Sequence, residues 1–318
     1  MKVIFRTHGG KNLGLGHISR CLSLAQAMKE KAEVLFIVND EISDYVIERG
    51  FDVITNESFD ISDFQLFEDS SPDLIILDSY DITSDYVRLL RKRYITILFD
   101  DNAEHNPITS HFLVNGNIHA KSLKYEESFN DVVYLLGPEY LIMKPEYWEE
   151  THSFSTGSGI MLTTGGADFH LLMPRFMKAL KDLDLSKRVI IGPMYSEREI
   201  EEIEKIDGDF ELIYHPKSLK RYIENSKLVI TACGSTVYEV LRLRRIPVVY
   251  TLAENQKLIA RSLEGYGVKN LGDWRNIKWN ELIDIIRKEY IRDPTDFEEL
   301  FDLFDGRGVF RLMESIGI

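Results

Sequence analysis

The sequence predicts an α/β protein built from two successive parallel-sheet domains, and three observations support this. The chain has 318 residues, which is more than one hydrophobic core usually organises. Short apolar runs typical of buried strands alternate with stretches of helical periodicity, a pattern that favours parallel sheets covered on both faces. The same rhythm restarts after a polar segment, Thr151–Gly159, which we interpret as the linker between the domains.

The N-terminal domain is predicted over residues 1–152. It opens with a strand, Lys2–Phe5, followed by a polar loop containing glycines. A helix comes next, because apolar residues from Ile18 to Met28 recur at three- and four-residue steps. The later elements are strands at Val34–Val38, Leu74–Leu77 and Ile95–Phe99, and a helix near Ser84–Lys92.

The C-terminal domain, predicted over residues 153–318, repeats this pattern. Its first strand, Ile160–Thr163, runs into a glycine turn and a helix over Leu171–Leu183. The later strands are Arg188–Ile191, Phe210–Ile213, Leu228–Thr231 and Val248–Tyr250, and the later helices are Glu197–Ile206, Thr236–Arg244 and Glu254–Tyr266. Such sheets bind ligands beyond the carboxyl ends of their strands. We therefore expect two Rossmann-like domains facing a central cleft.

Composition excludes several classes of protein. The net charge of −14 disfavours a nucleic-acid binder, which has to neutralise phosphates. No uninterrupted apolar run exceeds five residues, so we predict no integral membrane segment. The apolar stretch at the N-terminus is too short for a signal peptide, which favours a cytoplasmic location. The two cysteines are isolated, and this spacing suggests neither a zinc site nor a disulfide framework.

The first candidate site surrounds the start of the first long helix. Gly14 and Gly16 bring backbone N–H groups close to an anion, for which a diphosphate is the natural ligand. His17 lies in the first turn, where the helix dipole disfavours imidazolium, so we expect a lowered pKa and a general base. The alternative is a histidine that merely caps the helix. Arg20 is interpreted as a solvated arginine, with a phosphate contact as the alternative.

An NAD site is the competing interpretation of this segment. Gly14, Gly16 and Asp40 imitate the dinucleotide fingerprint. However, Ser19 stands in place of the third glycine, and eight residues separate the strand from the first glycine. The fingerprint requires a tight turn directly after the strand. The sequence therefore disfavours NAD, and no cofactor is expected.

The second half carries two further candidate phosphate sites. The turn Gly165-Gly166-Ala167-Asp168 follows a strand but lacks the Gly-Lys-Ser/Thr ending of a P-loop, so it is not an NTPase site. The segment Gly234-Ser235-Thr236 leads from a strand into a helix whose amide and hydroxyl groups fit phosphate oxygens. The alternative for Ser235 and Thr236 is simple N-capping.

Polar residues at other element ends complete the candidate set. Glu239, one turn into the helix, is suited to accept hydrogen bonds from ribose hydroxyls, and Asn255-Gln256 opens another helix on the expected cleft rim. Asp78 and Asp100-Asp101 end two strands of the first half, where carboxylates orient a catalytic group or bind a metal. No metal is expected, because nothing supplies a matching ligand spacing.

Six motifs occur in a recognisable order. They are Gly14-x-Gly16-His17-x-x-Arg20, Leu136-Gly137-Pro138-x-Tyr140 with Lys144-Pro145-Glu146, Gly165-Gly166-x-Asp168, Ser235-Thr236-x-x-Glu239, Asn255-Gln256 and Asp305-Gly306-Arg307-Gly308. This order, over nearly the whole chain, resembles the UDP-diacetamido-trideoxy-altropyranose hydrolases of pseudaminic acid biosynthesis. Those enzymes are relatives of the peptidoglycan lipid-intermediate glycosyltransferase and have the two-domain GT-B fold.

The resemblance implies a metal-independent hydrolase whose substrate is a UDP-sugar. Water attacks the anomeric carbon, UDP leaves, and the configuration inverts. By likeness His17 activates the water, while Tyr80 and Asn255 line the sugar and the leaving group. The implied nucleotide-binding residues are Gly14, Gly16, Gly165, Gly166, Asp168, Gly234, Ser235, Thr236, Glu239 and Gln256. Preorganised helix N-termini stabilise the charge that develops on UDP without a metal.

One departure from the family pattern affects the choice of sugar. The family commonly has a histidine between the aspartate and Tyr80, whereas this chain has Ser79. Two alternatives stay open. The first is a GT-B glycosyltransferase that uses a UDP-amino-sugar donor in polysaccharide biosynthesis, with His17 deprotonating an acceptor hydroxyl. The second is a non-catalytic protein that binds nucleotide sugars.

Overall fold

The structure is a computed structural model that describes residues 1–10, 13–126, 129–149 and 157–318. The chain divides into two compact units, Met1–Trp148 with Gly306–Ile318, and Glu149–Asp305. Each unit is built on its own parallel sheet, which confirms the predicted class of two α/β domains. Most of the predicted linker, namely residues 151–156, lies outside the described residues.

The first unit contains seven parallel strands among its described residues. They are β1 (Lys2–Thr7), β2 (Glu33–Val38), β3 (Asp52–Thr55), β4 (Leu74–Asp78), β5 (Ile95–Phe99), β6 (Phe112–Asn115) and β7 (Val133–Leu136). Its α-helices are α1 (Gly16–Met28), α2 (Ser43–Ile47), α3 (Ser62–Ser70), α4 (Ser84–Arg91) and, from the C-terminus, α12 (Gly308–Ser315).

The order of strands in this sheet creates a switch point. The order is β3-β2-β1-β4-β5-β6-β7, so the chain leaves β1 first to one side and then to the other. β1 and β4 are neighbours, with Thr7 paired with Asp78 at their carboxyl ends. Connections that diverge from two adjacent parallel strands leave a crevice beyond those ends, where open α/β sheets bind ligands.

The second unit repeats this topology. Its strands are β8 (Ile160–Thr163), β9 (Lys187–Ile191), β10 (Glu211–Tyr214), β11 (Leu228–Ala232), β12 (Ile246–Thr251) and β13 (Lys269–Asp273). Its α-helices are α5 (Leu172–Leu180), α6 (Glu197–Glu204), α7 (Lys220–Glu224), α8 (Ser235–Arg242), α9 (Gln256–Glu264), α10 (Leu282–Tyr290) and α11 (Glu298–Asp302). The strand order β10-β9-β8-β11-β12-β13 places the switch point between β8 and β11.

Hydrophobic periodicity located the central elements and missed peripheral ones. The predicted strands Ile95–Phe99 and Ile160–Thr163 have the predicted ends. Strands β3, β6 and β7 were not predicted. β3 and β7 are the edge strands of the sheet and are partly exposed, and β6 has only three apolar residues in a row. β13 (Lys269–Asp273) was missed because it is polar and only half-buried. Within the described part of the chain, no helix is both long and apolar enough to cross a membrane.

The C-terminal segment corrects the predicted domain boundary. Residues 306–318 belong to the first unit, whereas the sequence assigned them to a second domain over 153–318. Helix α12 buries Val309, Leu312 and Met313 in the same core that contains α1. A Cβ at Gly308 would lie 2.2 Å from the carbonyl oxygen of Leu141, so glycine permits this close approach. The apolar face of α12 therefore finds its partner in the first unit.

Candidate active site

The switch point of the first unit joins a histidine to a buried carboxylate. His17 lies in the first turn of α1, and its Nδ1 is 2.6 Å from Oδ1 of Asp78, the last residue of β4. Burial alone would raise the pKa of Asp78, but Arg20 and His17 hold it well below its usual range. An ionised carboxylate only accepts hydrogen bonds, so Nδ1 carries a proton, and in the neutral imidazole the lone pair is on Nε2.

The pKa of His17 contradicts the expected lowering. Burial lowers it, but the contact with Asp78 outweighs burial and raises the pKa above its usual 6.5. A helix N-terminus contributes about 0.3–1 kcal/mol at an exposed site, less than a charge-assisted hydrogen bond to a buried carboxylate. The capping alternative is not observed either, because none of the side chains that the structure describes caps the start of α1. His17 is therefore a base made stronger by a carboxylate.

Arg20 is not a solvated arginine, because protein carboxylates hold its guanidinium, and its alternative role as a phosphate contact stays a prediction. Its Nε and Nη2 donate to the two oxygens of Asp78 at 2.9 and 2.7 Å, and its Nη1 donates to Oδ1 of Asp101 at 2.8 Å. The guanidinium carbon lies 4.5 Å from the centre of the Phe99 ring. Only 17% of the side chain is exposed. The prediction of a solvated arginine was wrong because these partners are distant in sequence.

The network continues along the strand ends. Asp101 lies just after β5, and its Oδ1 accepts a hydrogen bond from Nδ2 of Asn117 at 2.8 Å. The backbone carbonyl of Asp101 accepts a second one from the side-chain Nδ2 of Asn115 at 3.1 Å. Sequence reasoning missed both asparagines because β6 was not predicted. Across the described residues, no group of three or more His, Cys, Asp or Glu side chains is placed to hold a metal. Between Asp78 and Asp101 the position of a cation is filled by Arg20.

Tyr80 forms one wall beside the histidine. Its ring meets the His17 ring edge-on, with centroids 4.6 Å apart and planes at 82°. The side chain is 41% exposed, so it also faces solvent. The neighbouring Ser79 is buried, and its carbonyl accepts a hydrogen bond from Nε2 of His105 at 3.1 Å. The structure thus brings two predicted residues, His17 and Tyr80, into direct contact.

The two glycines at the start of α1, Gly14 and Gly16, differ in their surroundings. The backbones of Gly10 and Gly14 exchange hydrogen bonds of 3.1 and 2.7 Å, and Gly14 has φ +77°, which favours glycine. Because the Gly14 amide already donates to Gly10, it shapes the loop rather than offering an N–H to an anion. At Gly16 an added Cβ would meet nothing within 4 Å, so the start of the helix is open. Its nucleotide contact stays a prediction.

In the second unit, a tight glycine turn follows β8. Gly165 has φ +96°, and its amide donates to the Thr163 hydroxyl at 3.1 Å. Asp168 is buried, and its carboxylate accepts the amides of Leu172 and Met173 at 2.9 and 2.7 Å. Burial, against these two hydrogen bonds, raises the pKa of Asp168 to about 6. These two hydrogen bonds tie Asp168 to the start of α5, and its predicted role in nucleotide binding stays a prediction.

The start of α8 is the more open phosphate site. The structure shows no side-chain cap there, which removes the N-capping alternative, and Ser235 is exposed. Among the described residues, no hydrogen bond is recorded for the hydroxyls of Ser235 and Thr236. Gln256 lies alongside: its Nε2 would be 3.8 Å from a Cβ on Gly234, and its Oε1 accepts the Leu252 amide at 2.8 Å.

The remaining predicted residues lie on the same unit. Glu239 is buried one turn into α8, with 6% of its surface exposed. Asn255 is exposed immediately before α9. The second unit thus presents Gly165-Gly166 after β8 and Gly234-Ser235-Thr236 after β11, the two strands of its switch point. The catalytic role of Asn255 and the ribose contact of Glu239 stay predictions.

Sequence comparisons identify three relatives. The chain is 27% identical to an uncharacterized protein of Methanocaldococcus jannaschii, over 99% of this chain and 66% of that protein, so it spans slightly less than two thirds of that relative. It is 26% identical to the UDP-2,4-diacetamido-2,4,6-trideoxy-beta-L-altropyranose hydrolase of Campylobacter jejuni, over 85% of this chain and 99% of the hydrolase. It is 22% identical to the spore coat polysaccharide biosynthesis protein SpsG of Bacillus subtilis, over 81% and 80%.

Solved structures share the fold. The spinosyn rhamnosyltransferase SpnG superposes with a TM-score of 0.69 at 13% identity, over 99% of this chain and all of that one. MurG of Acinetobacter baumannii superposes with a TM-score of 0.65 at 12% identity, over 100% and 99%. No protein-family model matches the chain. The chain is thus similar in sequence to the UDP-2,4-diacetamido-2,4,6-trideoxy-beta-L-altropyranose hydrolase of Campylobacter jejuni, and it has the GT-B fold.

Proposed function

We propose that the protein is a nucleotide-sugar hydrolase of glycan biosynthesis that releases UDP from a UDP-linked diacetamido-trideoxy sugar. The observation that carries the proposal is the contact between His17 and Asp78 at the switch point of the first unit. In this contact Asp78 accepts a hydrogen bond from Nδ1 and so fixes the tautomer of the neutral ring. The other ring nitrogen, Nε2, is then the proton acceptor. The similarity to the Campylobacter jejuni hydrolase supports the choice of substrate.

In the proposed reaction, Nε2 of His17 takes a proton from water as the water oxygen attacks the anomeric carbon. The bond from that carbon to the phosphate oxygen breaks, and UDP leaves with the electron pair. Asp78 stabilises the imidazolium that forms, because it is ionised and in contact with Nδ1. The open amides and hydroxyls at the start of α8 are the candidate partners of the diphosphate.

Acceptor dependence tests this proposal. We expect wild-type protein to release UDP from the donor in buffer alone, with water as the only nucleophile. The variant H17A removes the base. H17N is its matched partner, because the asparagine amide still donates to Asp78 while the proton acceptor is lost. Both are expected to lose turnover while still binding UDP.

The glycosyltransferase is the second candidate, and the fold of SpnG and MurG favours it. In that reaction the same base deprotonates an acceptor hydroxyl in place of water. Turnover that occurs only after an acceptor sugar or lipid is added would support it and overturn hydrolysis. Tight UDP binding without turnover of any donor, in wild type as in H17A, would contradict both reactions.

A further inference from the structure

The arginine beside the candidate base has no part in the proposed reaction. Arg20 lies one turn after His17 on α1, and Nη2 of Arg20 is 3.5 Å from Nδ1 of His17. All of its recorded hydrogen bonds to acids go to Asp78 and Asp101, and its side chain is 17% exposed. Three of the five N–H donors of the guanidinium therefore go to protein carboxylates. These contacts join Arg20 to the same carboxylate that holds His17.

We propose that Arg20 is a positioning residue that acts through Asp78 on His17, and that it keeps the histidine able to accept a proton near neutral pH. The inference deepens the proposed function, on which its catalytic consequence rests. The two donors Nε and Nη2 grip both oxygens of Asp78, which fixes the plane of the carboxylate and directs Oδ1 at Nδ1 of the histidine. The third contact, to Asp101, anchors the guanidinium to the next strand end.

The charges around His17 explain why such a residue is needed. Asp78 comes from β4, Asp101 from the segment after β5, and Arg20 from α1 itself; Tyr80 presents its ring edge and Cys21 donates to Asp78 at 3.5 Å. An imidazole facing two carboxylates without a cation would hold its proton too firmly to act as a base. Arg20 supplies the opposing charge, and it lowers the pKa of His17 while the carboxylates raise it.

A direct titration tests the inference without any substrate. The pKa of the His17 ring is measured by NMR in wild type and in R20M, and H17N assigns the signal. We expect R20M to raise this pKa by about one unit. R20K keeps a positive charge but cannot donate two hydrogen bonds to the two oxygens of Asp78 at once. Because the charge is retained, the pKa of His17 in R20K should return to its wild-type value. R88M, on the exposed Arg88 of α4, is the matched control and should leave the pKa unchanged.

Kinetics supply the second readout. In R20M the acidic limb of kcat/KM should move upward with the pKa, so that activity falls about tenfold more at pH 6.5 than at pH 8.5. A raised KM for the donor with an unmoved His17 pKa would show that Arg20 contacts substrate, and would overturn the inference. Should R20M not fold, R20Q carries the same expectation.

The two proposals can fail separately. If H17N retains full turnover while R20M still moves the pKa of His17, the proposed function is wrong, and Arg20 still tunes the histidine. If H17N abolishes turnover while neither R20M nor R20Q moves the pKa, the base stands and the role of Arg20 is wrong.

Discussion

The two switch points share one topology and differ in chemistry. At the last register pair of the central strands, the first unit has Thr7 beside Asp78, and the second has Thr163 beside Thr231. In the first unit, the charged residue Asp78 accepts hydrogen bonds from His17 and Arg20. The neutral residues in the second unit leave glycine turns and an uncapped helix start. One scaffold thus presents a proton acceptor in one unit and open donors in the other.

The two units therefore differ in the residues at their strand ends and not in the topology that carries them. A buried, paired carboxylate changes the pKa of its neighbours, which suits proton transfer. Open backbone donors carry no charge to titrate, which suits binding of a charged group over a wide pH range. The predictions that follow separate these two functions, because changes in one unit should move rates and pH profiles, and changes in the other should move affinity.

The largest effect is expected at His17. H17N keeps a donor toward Asp78 and removes the acceptor, so kcat should fall about 1,000-fold. The dissociation constant of UDP should change little, because the open donors of α8 lie in the second unit. Steady-state kinetics and calorimetry on the same preparation measure both quantities. Loss of UDP affinity in step with kcat would break the proposed separation of functions.

The next effect is expected at Asp78. D78N leaves Nδ1 of His17 without an anion, so the tautomer is no longer fixed and kcat should fall about 100-fold. The carboxylate raises the pKa of His17, so its removal should move the acidic limb of kcat/KM to lower pH. The shift is to lower pH because His17 acts as a base only when it is deprotonated, and a lower pKa keeps it deprotonated at lower pH. D131N is the control, since Asp131 is an exposed partner of Arg91. If the acidic limb of kcat/KM moves to higher pH in D78N, the proposed role of Asp78 is wrong.

A smaller effect is expected at the start of α8. The double variant S235A/T236V removes two hydroxyls that have no recorded partner in the described part of the chain. The KM for the donor and the dissociation constant of UDP should both rise about tenfold. The pKa of His17, measured by NMR, should stay at its wild-type value. Unchanged UDP affinity would remove this helix from the nucleotide site.

The smallest effect is expected at Asp168, and it concerns stability. Its folded pKa of about 6 lies above the usual 3.8, so this carboxyl favours folding below pH 3.8, and its contribution is lost as pH rises through 6. The difference in unfolding free energy between wild type and D168N should therefore fall by about 2 kcal/mol from pH 4 to pH 7. Denaturant titrations at several pH values measure it. A difference that is flat with pH would contradict the raised pKa.

The sequence predicted the fold class and much of the candidate site for identifiable reasons. Strands β1, β5 and β8 are buried apolar runs, and His17 follows glycines at a helix start, so local patterns suffice for them. Likewise, the acids at the ends of β4 and β5 were predicted either to orient a catalytic group or to bind a metal, and Asp78 contacts His17, whose catalytic role stays a prediction.

What the sequence missed depends on contacts between distant residues. The pKa of His17 was predicted with the wrong sign because its dominant partner lies 61 residues away. Arg20 was interpreted as solvated because Asp78 and Asp101 lie 58 and 81 residues away. Helix α12 was assigned to the second domain because nothing local marks its return to the first core. Periodicity identifies an element but not its partner.

Turnover in ¹⁸O-labelled water is the most direct test of the proposed attack of water on the anomeric carbon. A UDP-linked diacetamido-trideoxy sugar is incubated with wild type and with H17N, without any acceptor, and the products are weighed by mass spectrometry. We expect wild type to place one ¹⁸O on the anomeric carbon of the released sugar and none on UDP. H17N should form almost no product. Label on the phosphate of UDP, or equal turnover by H17N, would contradict the proposed reaction.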